Sequence, residues 1–194
     1  MKIIITLVML SGFFISKAQD EPIDLKERID QYFIHNKNKD FDSIMEYIHP
    51  SMFRLVTKEQ LIEAFRQSFS SETMDIGFDS LAIKDIGRDI VFEKAEYRKV
   101  NYLSRMYIIL KNMEDLEEES VIELLVDNLK SAFPGAEVKF NRERKSFDVN
   151  TIQLLLAIKE PESPWNFIGI DKSKPEFIKM LLPGELIKML ELIE

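Results

Sequence analysis

The stretch from residue 148 to residue 171 constrains the fold more than any other. It reads as two β-forming arms, 149–159 and 165–171, separated by Glu160-Pro161-Glu162-Ser163-Pro164. The prolines fall where a ladder donor is not required, so the break is a turn and the arms form a hairpin. Strand side chains alternate. On the second arm Trp165, Phe167 and Gly169 therefore share one face, and Asn166, Ile168 and Ile170 share the other. Such a hairpin needs a cover, and the flanking sequence supplies helices.

The N-terminus carries an address. Lys2 precedes an apolar run at 3–10, Gly12 interrupts it, and Ser16-Lys17-Ala18 stands before Gln19. A positive start, an apolar centre and a small-x-small site describe a signal peptide, residues 1–18, cleaved near Ala18. The run falls short of the roughly 20 apolar residues of a membrane span. The expectation is a secreted or periplasmic chain of one domain, 19–194, with no membrane span after cleavage. Cysteine is absent, which excludes disulfides and lipid attachment at a signal-peptide cysteine. The formal charge is −8, and it becomes more negative once Lys2 and Lys17 are removed. Such a surface repels nucleic acid and anionic membranes, so neither is an expected partner.

Taken in order, the remaining pattern is helical, then alternating, then mixed. Leu25, Ile29, Tyr32 and Phe33 mark a helix over 23–35. Phe41, Ile44, Met45 and Ile48 mark a second short helix ended by Pro50, completing a helix hairpin. Thr57-Lys58-Glu59-Gln60 is a capping box opening a third helix with Leu61, Ile62, Phe65 and Phe69 on one stripe. From Thr73 the period is two: Met74, Ile76 and Phe78 alternate, and Leu81 and Ile83 resume out of phase, which predicts a bulge near Ser80. The region 90–110 exceeds a single flat strand, so a bulge or break is expected within 99–103. A helix is predicted over 115–133, between an acidic start and Pro134-Gly135, then a strand over 136–140. Beyond the hairpin, Lys174-Pro175 opens a C-terminal helix that Pro183 interrupts.

Three helices followed by a mostly antiparallel sheet predict an α+β fold with helices on one sheet face. The helix hairpin, the Ile48-His49-Pro50 junction, the helix at 57–69, the strand opening at Met74 and Trp165-Asn166-Phe167-Ile168 together resemble the nuclear transport factor 2-like superfamily. The resemblance spans about 23–110 and 147–171. It implies a cone in which a curved sheet wraps a pocket beneath the helices. The inserted helix at 115–133 and the C-terminal helices depart from that pattern, and are expected to plug the cone or reshape its mouth. The superfamily hosts isomerases, cyclases, dehydratases and non-enzymatic binding modules, so it implies fold more than function.

Few residues invite chemistry. The only histidines are His35 and His49, with no HExxH spacing, so no metal site is expected and both are read as structural. No nucleophile elbow, phosphate loop or dinucleotide glycine pattern occurs, and no cofactor is expected. Acid–base enzymes of the resembled fold hold an Asp, His or Tyr inside the cone. The candidates by position are Tyr32, Tyr47, His49, Tyr97, Tyr107 and Asp171, each weighed against a core role in which a hydroxyl finds a partner. The stretch Tyr97-Arg98-Lys99-Val100-Asn101-Tyr102 suits an anion, or else a sheet edge protected by charge. The leading expectation is non-enzymatic binding of a small apolar ligand or a protein partner, and the resemblance also implies that a homodimer through the exposed sheet face is possible. The alternative is a small cofactor-free isomerase, dehydratase or cyclase using a buried acid–base group.

Overall fold

A computed structural model of the chain describes residues 24–112 and 118–193. The predicted leader and the first residues of the inserted helix lie outside them. The fold is α+β. Helices α1 (Leu25–Lys37), α2 (Phe41–Ile44) and α3 (Lys58–Phe69) precede strands β1 (Met74–Ile86), β2 (Ile90–Phe92) and β3 (Ala95–Leu110). Helix α4 (Glu119–Ala132), strands β4 (Glu137–Asn141), β5 (Ser146–Lys159) and β6 (Asn166–Ile170), and helices α5 (Pro175–Leu181) and α6 (Gly184–Leu190) complete the chain. The capping box at Thr57 is formed in both directions. The second helix is shorter than its apolar spacing predicts: it stops at Ile44, and Ile48 instead bridges to Phe167 of β6. Pro50 opens a 3-10 turn, Pro50–Arg54.

All six strands form one antiparallel sheet. Its path is β1-β3-β5-β4, with β2 beside β3 and β6 beside β5. The spine is the β3–β5 pair, which runs from Glu96↔Lys159 to Ile108↔Phe147 without a slip. The expected break within 99–103 is therefore absent. It lies at Glu93-Lys94, a two-residue turn between β2 and β3 in which both residues have positive φ. Twist compatibility explains that geometry, since hairpin turns of this length need left-handed residues. The irregularity appears in β1, where the register shifts after Phe78, as the phase change predicted, and again after Ile83. Nor is 97–102 a sheet edge, because β3 has neighbours on both sides.

Alternation along β3 and β5 gives the sheet two faces. Val100, Tyr102, Leu155 and Ala157 point to the inner face, where they pack with Leu25, Ile29 and Phe33 of α1 and with Phe167. Farther along the same face, Met106, Ile108, Phe147 and Val149 pack with Ile122 of α4. The two bulges of β1 keep Phe78, Leu81, Ile83 and Ile86 on this face despite their uneven spacing. Leu156, Ile158, Ile168 and Ile170 point to the outer face and are covered by Ile178, Leu181, Leu186 and Leu190 of α5 and α6. The C-terminal helices thus pack on the sheet face opposite to the one α1 covers. They make the hairpin end a three-layer structure, which is why β6 is buried on both faces. Each large side chain so buried contributes about 1.5–3 kcal/mol.

Replacing Glu93 by Asn together with Lys94 by Gly relieves left-handed strain at the β2–β3 turn. The double variant should gain about 1 kcal/mol in urea unfolding, and a loss would show that the turn side chains matter more than the backbone.

Candidate functional site

The inner face near α1 is filled by rings. Tyr32 lies 5.2 Å from Phe167, 6.0 Å from Tyr47 and 6.1 Å from Phe33, centroid to centroid, and Tyr102 lies 5.0 Å from Phe33. The Tyr47 hydroxyl donates to Gln31 Oε1 at 3.2 Å, and the Arg28 guanidinium stacks on its ring at 3.9 Å. Arg28 also donates to the carbonyls of Glu46 and Trp165, at 2.8 and 3.2 Å, fastening α1 to the start of β6. Burial pushes the Tyr32 and Tyr102 hydroxyls up from their ordinary range. They stay protonated and serve as packing groups with a polar tip. Sequence reasoning singled out Tyr32 and Tyr47 and named Tyr102 only within the 97–102 stretch, although its alternation with Val100 signalled an inward position.

His49 and Tyr97 both lie in the field of one carboxylate, Glu160. The His49 N–H donates to the Phe167 carbonyl at 3.0 Å, and the Phe167 N–H donates to the Tyr47 carbonyl at 2.7 Å, so the junction runs alongside β6. Nδ1 of His49 accepts from the Ser51 N–H at 3.3 Å and lies 2.8 Å from the Ser51 hydroxyl. That leaves the proton on Nε2, which faces Glu160 Oε1 at 3.4 Å without an aligned hydrogen bond. Burial drives the His49 pKa down, while the Glu160 charge pulls it back up. Tyr97 is pushed up, by burial first and then by Glu160 and Glu93. The other histidine, His35, pairs through Nδ1 with Asp40 Oδ2 at 2.9 Å, and Asp40 in turn caps α2. Both histidines brace the helix hairpin.

Tyr107 sits elsewhere, across from Gly77 on the outer face of the sheet. A Cβ on Gly77 would come within 2.3 Å of the Tyr107 ring, so the glycine exists to admit it. Arg144, from the β4–β5 turn, stacks on that ring at 4.6 Å and clamps Asp79, the extra residue of the first bulge, at 2.9 and 3.1 Å.

Asp171 alone among the six lies at a cleft, and the cleft arises from how two strands end. β4 pairs with β5 only as far as Glu137↔Asn150, because Pro134 and Gly135, the latter at φ +79°, bring the chain in just before it. β6 pairs only as far as Ile170↔Leu154, because Asp171 then turns the chain by accepting from the N–H and hydroxyl of Ser173 at 3.0 and 2.6 Å. Residues 151–153 are left with β3 on one side and no strand on the other. At this gap lies a cleft of about 680 Å³, with Lys99, Asn101, Ile152 and Leu154 on one side and Ala132, Phe133, Pro134 and residues 170–174 around it. Ile152 is 56% exposed there.

The cleft's charge is positive. Lys99, Lys172 and Lys174 line it, against Asp171 as the one carboxylate in the lining. Lys174 reaches Asp171 at 3.1 Å, whereas Lys99 and Lys172 form no ion pair among the described residues. Hydrogen bonding from Ser173 holds Asp171 below its usual range, so it is a fixed anion at neutral pH and no proton shuttle. Among the described residues no three His, Cys, Asp or Glu side chains converge as a metal site. No protein-family model and no curated protein sequence matches the chain.

Two measurements check this arrangement. The folded state binds fewer protons at His49 than the unfolded state, so its contribution to stability is full above the ordinary histidine value of 6.5 and declines as pH falls below it. NMR titration of the His49 ring should give a pKa below 6.5, and Glu160→Gln should lower it further. An unchanged or raised value in that variant would contradict the opposing roles of burial and Glu160. Separately, Gly77→Ala should cost about 1–3 kcal/mol in denaturant unfolding, and much less in a Tyr107→Leu background, since the two share one volume.

Proposed function

We propose that this is a non-enzymatic binding domain of the nuclear transport factor 2-like type whose ligand site is the cleft at residues 151–153 rather than the interior of the cone. The single observation that carries this reading is the cleft itself. It has the volume of a small-molecule site and a lining of mixed character, with Phe133, Ile152 and Leu154 beside polar and cationic groups. Kinship with the superfamily is supported by the helix hairpin, the capped third helix and the long antiparallel strands after it. The cone interior, where the resemblance put a ligand, is occupied by the rings of Tyr32, Phe33, Tyr47, Tyr102 and Phe167.

The acid–base alternative has less support. Its six candidate groups are divided between the ring cluster, the Glu160 junction, the Gly77 site and the cleft. The resolved shifts move Tyr32 and Tyr97 up and His49 and Asp171 down, each away from the neutral range where a general base works best. A protein partner is the second reading, favoured by Met180 at 63% and Met189 at 46% exposure on α5 and α6. Secretion, inferred from the leader, belongs to the same proposal.

Amide chemical-shift mapping against a small-molecule fragment library tests the cleft. Perturbations should cluster at 132–134, 151–154 and 170–174, and Ile152→Trp, which fills the cleft from an exposed position, should abolish them without changing the unfolding midpoint. Shifts confined to the α5–α6 surface would favour the protein partner, and shifts that survive Ile152→Trp would rule the cleft out.

A further inference from the structure

Resting on the cleft as the ligand site, we infer that its ligand is a small organic anion with an apolar body, its charged group held by Lys99 and Lys172 with Lys174 nearby, and its body laid against Phe133 and Ile152. The charge distribution carries the first half. A chain of formal charge −8 concentrates three ammonium groups against one carboxylate around a single cleft. Two of those ammonium groups have no carboxylate of their own among the described residues, in a protein where acidic side chains outnumber basic ones. These two ammonium groups are therefore available to a ligand.

Strand geometry brings the cations together. In β3 the side chains of Tyr97, Lys99 and Asn101 face outward while those of Arg98, Val100 and Tyr102 face inward. Arg98 is thereby committed to Asp89 and to the Trp165 ring, whose centroid it approaches at 5.6 Å, and only Lys99 reaches the cleft. Lys172 and Lys174 arrive from the turn that Asp171 and Ser173 lock. Neighbouring Asn101 and Ser173 add neutral hydrogen-bonding groups that suit a carboxylate or sulfonate.

The rest of the lining selects the body attached to that charge. Phe133, Pro134, Ile152 and Leu154 form an apolar wall too extensive for an inorganic ion such as free phosphate. The overall negative charge also disfavours polyanions, which would meet the surrounding carboxylates within a Debye length of about 8–10 Å. A compact monoanion with an alkyl or aryl body satisfies both parts.

The test uses 8-anilinonaphthalene-1-sulfonate as a fluorescent probe, octanoate and octanamide as competitors that differ in charge alone, and inorganic phosphate as a bare anion. The probe should bind saturably and weaken as salt rises. Octanoate should displace it at least about tenfold better than octanamide, and phosphate should displace it poorly. Lys99→Gln with Lys172→Gln, both at solvent-accessible positions, should remove most of the octanoate preference while leaving octanamide unchanged. Equal competition by octanoate and octanamide, with Ile152→Trp still abolishing binding, would overturn the anion and leave the cleft as a site for neutral ligands. Displacement by phosphate as strong as by octanoate would overturn the apolar body. Probe binding that persists in Ile152→Trp would instead overturn the cleft reading beneath both. Absence of saturable octanoate binding up to about 10 mM would also overturn the inference.

Discussion

The unbroken register between β3 and β5 is the constraint on which the rest of the structure depends. Thirteen consecutive pairs, Glu96↔Lys159 to Ile108↔Phe147, fix which side chains of both strands face inward. A slip of one residue would turn Leu155, Ala157, Val149 and Phe147 away from α1 and α4 and break both inner-face clusters. Every other element answers to that phase. β1 meets it only by two bulges, and β6 continues it by setting Phe167 against α1 while Ile168 and Ile170 receive the C-terminal helices. Because both faces are covered at the hairpin end, the strands there read as nearly continuous apolar runs, as expected of buried strands.

Where the sequence carried local physics, it was legible. The capping box at Thr57, the hairpin about its two prolines, the phase change near Ser80 and the Pro175 helix start are short-range rules with few competing solutions. The misplacements share a cause as well. Glu93-Lys94 is not a residue pair that signals a tight turn, so the break in 90–110 could not be located from composition. The second helix lost its last turn because Tyr47 and His49 exchange backbone hydrogen bonds with Phe167, a tertiary demand invisible to periodicity. The outer position of α5 and α6 depended on β6 being two-faced, which alternation allows but does not require.

The candidate site was legible only in fragments. Asp171 was flagged as a possible acid and Lys99 as part of an anion-suiting stretch, yet nothing in the order of residues says that they share a cleft with Phe133 and Ile152. That proximity is created by the gap between two strand ends on one edge of β5, and a gap leaves no sequence pattern. The tyrosines and His49 were found for a related reason: aromatic and imidazole groups are scarce enough to notice, but scarcity does not separate core from site. Tyr107 is the clearest example, because its neighbour Gly77 declares a packing role that neither residue shows alone.

A gap in a sheet edge would ordinarily be a liability, since unpaired strand backbone invites further pairing. Here the walls on either side, 132–134 and 170–174, stand beside the three unpaired residues and leave room for a small molecule but not for a strand of ordinary length. The lysines of the same walls add charge, another device by which sheet edges resist association. The features that protect the edge are therefore the ones that would serve the proposed anion site, and one arrangement of strand ends accounts for both.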